Sequence, residues 1–169
     1  MRRRNQWVGP LIRRLGLLTG LLILASGAPG CIGSDGDSLT ARNKAVVRGY
    51  LEEIVNRGDW SKWDGYFGDR VVFNGREMTR EDFRAIVAHF RSFLPDFALT
   101  IEEQIAEGDK VATRVTCRGT HRGEIEGIAP TGKRVEFWGF AIDRLVDGKV
   151  VEMWHEVDMN GLLQELRAQ

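Results

Sequence analysis

A chain of 169 residues, 43% hydrophobic and 28% charged, has room for one ordinary globular domain plus an extension. The formal net charge is 0, but five of the 24 basic residues fall in residues 1–30, which hold no acid, so the rest of the chain sets 19 basic against 24 acidic residues, a balance of −5. A mildly acidic body without a basic aromatic motif argues against a phosphate-backbone binder, and no nucleic-acid partner is expected.

The N-terminus reads as a targeting segment. Arg2, Arg3, Arg4, Arg13 and Arg14 precede the apolar run LGLLTGLLILA, and small residues then lead to Cys31. That run has the length of a signal-peptide core and is short for a membrane span. Ala28-Pro29-Gly30-Cys31 resembles a bacterial lipoprotein processing box, in which the cysteine is lipidated. The usual Leu three residues before the cysteine is Ala28 here, and Pro29 is unusual. Residues 1–30 are therefore expected to be a signal peptide, with Cys31 lipidated and the chain exported and anchored to the outer face of a bacterial membrane. Residues 31–38 read as a flexible Gly/Ser/Asp tether, and 39–169 as the folded domain. With Cys31 lipidated, Cys117 has no intrachain partner. No disulfide is expected, and Cys117 reads as a small core residue in an apolar strand.

Within the domain, Thr40 reads as a helix N-cap. Val46, Val47, Tyr50, Leu51, Ile54 and Val55 follow at helical spacing, and Gly58 stops the helix. Asp59 caps a short second helix carrying Trp60, Trp63, Tyr66 and Phe67. Val71–Phe73 reads as a short strand ended by Asn74-Gly75. Thr79, with Asp82 in the capping-box position, opens a third helix whose apolar stripe is Phe83, Ile86, Val87, Phe90 and Leu94; Pro95 marks its end. His89 flanks that stripe as a half-exposed helix residue.

From Asp96 the period changes to two. Phe97, Leu99 and Ile101 alternate with polar residues, and Gly108-Asp109 is a turn. Val111, Thr113, Val115, Cys117, Gly119 and His121 then share one face, with Arg114 and Arg118 on the other. After a Gly- and Pro-containing loop come the strands 135–145 and 150–158, joined around Asp147-Gly148. A last helix over 162–166 is capped by Asp158 or Asn160. Helices followed by antiparallel strands make an α+β plan, a cone-shaped barrel in which three N-terminal helices pack on a strongly bent antiparallel sheet, with a short C-terminal helix and a conical cavity between the layers.

Three residues are candidates for chemistry. His155 shares a face with Val151, Met153 and Val157, so it is either a satisfied core histidine or a base poised in the cavity. His121 ends its strand just before the loop and either reaches the cavity mouth or caps the loop through a hydrogen bond. Asp143 interrupts the face of Phe137, Gly139, Ala141 and Leu145; it either orients His155 or faces water through a bulge. On the opposite face, Trp138, Phe140, Ile142 and Trp154 form an apolar surface that needs a cover, and a homodimer through the outer sheet face is expected. No metal or cofactor is expected: His89, His121 and His155 lie on different elements, there is no HExxH or cysteine cluster, and the glycines of 119–132 lead into a strand instead of a helix.

The run GTHRGEIEGIAPTGKRVEF, the hairpin DGKVVEMWHEVD and the ending GLLQEL together resemble the SnoaL-like polyketide cyclase (ester cyclase) family of the nuclear-transport-factor-2-like superfamily. VVRGYLEEIVNRGDWSKWDGYF resembles the family's first two helices, and the likeness spans Ala41 to Leu166. The resemblance implies a cofactor-free intramolecular aldol condensation of a polyketide ester by one acid/base residue with help at the carbonyl. It places an Asp after the last-strand Trp and a His opposite. Here those positions are His155, after Trp154, and Ala141, which departs from the pair at both places. Two readings stay open. One is a cofactor-independent cyclase, isomerase or hydrolase acting on a small apolar carbonyl or ester compound. The other is a lipid-anchored module that only holds a small apolar ligand or a partner.

Overall fold

The computed structural model describes residues 34–168. The expected signal peptide 1–30 and the lipidation candidate Cys31 lie outside the described residues, and no described helix is long and apolar enough to cross a membrane.

The first helix, α1, spans Ser34–Tyr50 and runs on without a break into a π-helical turn, Leu51–Asn56. Thr40 is therefore not its N-cap: it lies inside the helix, and its hydroxyl donates to the Gly36 carbonyl one turn back. The helix also takes in residues 34–38 of the expected tether. Adding a residue to an existing helix gains a backbone hydrogen bond at little further entropic cost, whereas starting one is costly, so a packed helix extends into polar flanking sequence. The packed part is the stripe read from the sequence: Val47, Tyr50, Leu51, Ile54 and Val55 are buried. Gly58 then takes a positive φ of 73° and turns the chain away.

Asp59 accepts from the Ser61 N–H and caps a 3-10 turn, Trp60–Lys62, which leads into the short helix α2, Trp63–Tyr66. Phe67, expected on that helix, instead starts strand β1, Phe67–Phe73, and stacks on Trp63 with centroids 3.9 Å apart. A two-residue Asn74-Gly75 turn, both residues at positive φ (47° and 80°), joins β1 to β2, Arg76–Met78. Helix α3, Arg80–Phe93, has the expected capping box. The Thr79 hydroxyl accepts from the Asp82 N–H, and the Asp82 carboxylate accepts from the Thr79 N–H at 2.8 Å.

Four long strands follow: β3, Ala98–Glu107; β4, Lys110–Thr120; β5, Arg134–Val146; and β6, Lys149–Val157. The closing helix α4, Met159–Arg167, is capped by Asp158, whose Oδ1 accepts from the Gly161 N–H at 2.8 Å. The sheet order is β2-β1-β6-β5-β4-β3. Four of the five neighbouring pairs are antiparallel, but β1 lies parallel to β6. The sheet is thus mixed, not purely antiparallel: β6 runs back beside β1, whose own hairpin partner β2 occupies its other edge. Register shifts between Ile101 and Glu103, between Arg144 and Leu145, and along β1–β6 add local bends to the ordinary strand twist.

Along β5 burial alternates strictly. Val135, Phe137, Gly139, Ala141, Asp143 and Leu145 face inward, while Trp138, Phe140 and Ile142 face out at about half exposure. Two consecutive inward positions, Gly139 and Ala141, carry almost no side chain, and this is where the packed layers leave a hollow.

Candidate functional site

The hollow is a cavity of about 90 Å³. The π-helical turn supplies Leu51 and Val55, α3 supplies Phe83, Ile86, Val87 and Phe90, and the sheet supplies Phe97, Leu99, Val115 and Cys117. Its floor is Gly139, Phe140 and Ala141 of β5 with His155, Glu156 and Val157 of β6. The lining is almost wholly apolar, so an imidazole there stands out chemically. Burial pushes the Cys117 thiol up to about 12, which keeps it a neutral thiol at neutral pH.

His155 sits opposite Ala141, in the register read from the sequence. Its ring Nε2 lies 3.3 Å from Asp143 Oδ1. Asp143 is fully buried, and the Tyr50 hydroxyl, also fully buried, lies 3.2 Å from both of its carboxylate oxygens. A buried carboxylate is costly unless donors surround it, and these two groups provide them. Burial first, then the Asp143 charge and hydrogen bond, push the Tyr50 hydroxyl well above its ordinary value, so it stays a donor. The His155 side chain is 21% exposed and meets the edge of Phe73 at 5.2 Å.

The backbone of His155 is held as firmly as its ring. After Phe73 the chain leaves the sheet at Asn74-Gly75, so β6 loses its parallel neighbour just before His155. The Asn74 side chain replaces it: its Oδ1 accepts from the His155 N–H at 2.9 Å, and its Nδ2 donates to the His155 carbonyl at 3.1 Å. With both backbone groups engaged on that side, His155 and Ala141 form a non-hydrogen-bonded antiparallel pair, the kind that brings facing side chains closest. Asn56 does the same for the cavity residue Leu99, accepting from its N–H and donating to its carbonyl, both at 2.9 Å.

His121 is placed elsewhere. It is buried, its Nδ1 accepts from the Thr131 N–H at 3.2 Å, and its own backbone bonds Lys133 and Gly132, so it ties the 121–133 loop shut. It does not line the cavity and makes no hydrogen bond with Asp143 or His155. Its Nε2 is buried without a partner. His89 is exposed on α3, edge-on to Phe93. The structure thus joins two of the three candidates, Asp143 and His155, and leaves His121 apart. Among the described residues no three His, Cys, Asp or Glu side chains gather closely enough to hold a metal ion.

Sequence reasoning passed over two site residues. Tyr50 reads as one more member of the α1 stripe, yet a tyrosine there needs a partner for its hydroxyl, and that requirement was the available signal. Asn74 reads as a turn residue, and nothing local shows that its amide reaches β6.

Residues 45–166 match the SnoaL-like polyketide cyclase family. Solved structures agree. AclR of Streptomyces galilaeus, assigned as a hydroxylase, is 33% identical over 75% of this chain and 96% of its own, with a TM-score of 0.65. IdmH of Streptomyces antibioticus, assigned as a polyketide cyclase, is 28% identical over 75% of this chain and 99% of its own, with a TM-score of 0.68. TsrD of Streptomyces laurentii is 28% identical over 76% of this chain and 97% of its own, with a TM-score of 0.66. Among curated proteins there is no match. An α+β cone of this topology, matched by the family over 45–166, makes this chain a member of the SnoaL-like polyketide cyclase family.

Proposed function

We propose that the protein performs cofactor-independent acid–base chemistry on a small apolar carbonyl or ester compound held in the cavity, with His155 as the base and Asp143 as its orienting partner. The observation that carries this reading is His155 on the wall of an apolar cavity with its ring bonded to a fully buried carboxylate. In the step envisaged, neutral His155 removes a proton from the carbon next to a carbonyl, and the C–H electron pair moves onto the carbonyl as an enolate. The enolate carbon then bonds to a second carbonyl carbon of the same molecule, whose oxygen takes the proton back from the imidazolium. The sum is an isomerisation, so no co-reactant is needed. The Asp143 charge stabilises the imidazolium, and a dry wall strengthens that interaction.

The test is hydrogen–deuterium exchange at the α-carbon of a panel of aromatic β-keto esters in heavy water, followed by NMR. Wild-type protein accelerates exchange of at least one ester, and His155→Ala loses that acceleration. Equal exchange in the two proteins overturns the reading. A second reading, a binding module without chemistry, is favoured by Ala141, a methyl group where the family resemblance places a histidine. Under it, an ester from the panel binds equally to wild-type protein and His155→Ala, and neither accelerates exchange.

Two further proposals accompany this one. Export and lipid anchoring at Cys31 are supported by the residue order of 1–31; intact mass of the membrane fraction tests them, and an unmodified Cys31 refutes them. A homodimer through the outer sheet face is supported by the apolar patch of Trp138, Phe140, Ile142 and Trp154, each 47–50% exposed. The ion pairs Arg118–Glu136 and Arg144–Glu152 lie at its two ends and offer both signs of charge to an identical face.

A further inference from the structure

We propose that Tyr50, Asp143 and His155 form a relay that fixes His155 as its Nε2–H tautomer, leaving Nδ1 as the nitrogen offered to a cavity ligand, with Tyr50 as a positioning residue acting through Asp143. This rests on the reading of His155 as the base and adds which of its atoms takes the proton and what holds it in that state.

Asp143 Oδ1 stands 3.3 Å from His155 Nε2. An ionised carboxylate only accepts, so the nitrogen facing it carries the hydrogen, and the lone pair of the neutral ring is then on Nδ1. His155 Nδ1 has no hydrogen-bond partner and is not among the sealed, unpartnered buried atoms, of which His121 Nε2 is the only one among the described residues. It is the accessible basic atom of a residue on the cavity wall.

Tyr50 decides how the carboxylate is used. Its hydroxyl lies 3.2 Å from both oxygens and comes from the far side of the layer, at the junction of α1 and the π-helical turn. It holds the carboxylate plane and shares the negative charge. The ring of Tyr50 is itself fixed by Phe67 at 5.1 Å and by the edge of Phe83 at 6.4 Å. Around His155, β5 contributes Asp143, β1 contributes the uncharged Phe73 and Asn74, and β6 contributes the exposed Glu156; the one other titratable group on the cavity wall is the neutral Cys117 thiol of β4.

The relay makes predictions about the resting protein, before any substrate is known. The full chain is labelled with ¹⁵N-histidine, the His155 signals are assigned with His155→Ala, and ¹H–¹⁵N spectra give the tautomer and the position of its ring N–H signal. In wild-type protein the neutral His155 ring carries its hydrogen on Nε2. Tyr50→Phe removes one of the two donors that hold the Asp143 carboxylate, so the carboxylate leans more on the His155 Nε2–H. At a fixed pH in both proteins, the His155 Nε2–H proton signal moves downfield as that hydrogen bond shortens. The Nε2–H tautomer persists, because Asp143 is still there. A proton on Nδ1 in the wild-type protein overturns the proposal, and needs no variant to fold. An unchanged His155 Nε2–H signal in folded Tyr50→Phe overturns the role of Tyr50. If the tautomer and the ring N–H signal behave as stated while α-carbon exchange ignores His155→Ala, the relay stands and the acid–base function falls. If exchange is lost in His155→Ala but Nδ1 holds the hydrogen, the function stands and the relay falls.

Discussion

Replacing Asn74 should weaken the fold and loosen His155 together. The Asn74 amide makes two hydrogen bonds to the His155 backbone, at 2.9 and 3.1 Å, and sits at a φ of 47°. Asn74→Gly removes the amide while keeping a residue that adopts positive φ freely. Two net hydrogen bonds are worth about 1–3 kcal/mol, and the exposure of Asn74 places the loss at the lower end, about 1–1.5 kcal/mol, because water can take over part of each bond. Asn74→Ala loses the same bonds and keeps the Cβ that Asn74 already carries in left-handed backbone, so it isolates the amide, whereas glycine sheds that Cβ and recovers about 1 kcal/mol. Asn74→Asp keeps an acceptor for the His155 N–H but turns a carboxylate oxygen towards the His155 carbonyl, so it falls below the glycine variant. Urea unfolding at constant slope measures the series, with Ala below both wild type and Gly. Asn74→Ala within about 0.3 kcal/mol of wild type would refute the claim that this amide stands in for a strand neighbour.

Three further outcomes are expected. Cys117, a neutral buried thiol raised to about 12, stays unmodified by iodoacetamide at pH 7.5 in the folded protein and is labelled in urea, as peptide mass mapping shows. The Thr120 backbone and hydroxyl donors hold the Asp96 carboxyl below the ordinary carboxylate range. Its contribution to stability is therefore present above the unfolded value of about 3.9 and is lost as pH falls through the lower folded value; Asp96→Asn flattens the stability–pH curve below about pH 4, as thermal melts across that range show. On the outer sheet face, Phe140→Arg abolishes the proposed dimer in sedimentation without changing the melting temperature of the isolated fold; a wild-type monomer at tens of micromolar refutes the dimer.

Features written into neighbouring residues were legible in the sequence. The capping box of α3 needs only Thr79 and Asp82, three residues apart, and the inward face of β5 follows from strict period-two alternation. The partnership of Asp143 with His155 was within reach for the same reason, since parity along two joined strands puts both on one face. What could not be read depends on distant chain. The parallel pairing of β1 with β6 has no local signature, so the sheet looked purely antiparallel and β1 looked shorter than it is. Asn74 carries the strong turn preference of an Asn-Gly pair, which hides its second use. Thr40 has the chemistry of a cap and the position of an interior residue, because the helix extends past it. For His121 both alternatives were open, and the hydrogen bond from Thr131 realises the loop-closing one.

The β1–β6 junction also has a kinetic consequence. Asn74 and His155 are 81 residues apart, whereas the turns of the β3–β4 and β5–β6 hairpins close over two residues. Closing the longer loop costs about 2–3 kcal/mol more in chain entropy than closing a hairpin, by the logarithmic dependence on loop length. Local hairpins and α3 can therefore form before the two ends of the domain meet, and the ring that is read here as the base takes its final position only when they do. The His155 amide, held by a side chain from the far end of the domain, is the natural probe of that event: its hydrogen exchange reports whether β1 and β6 are joined.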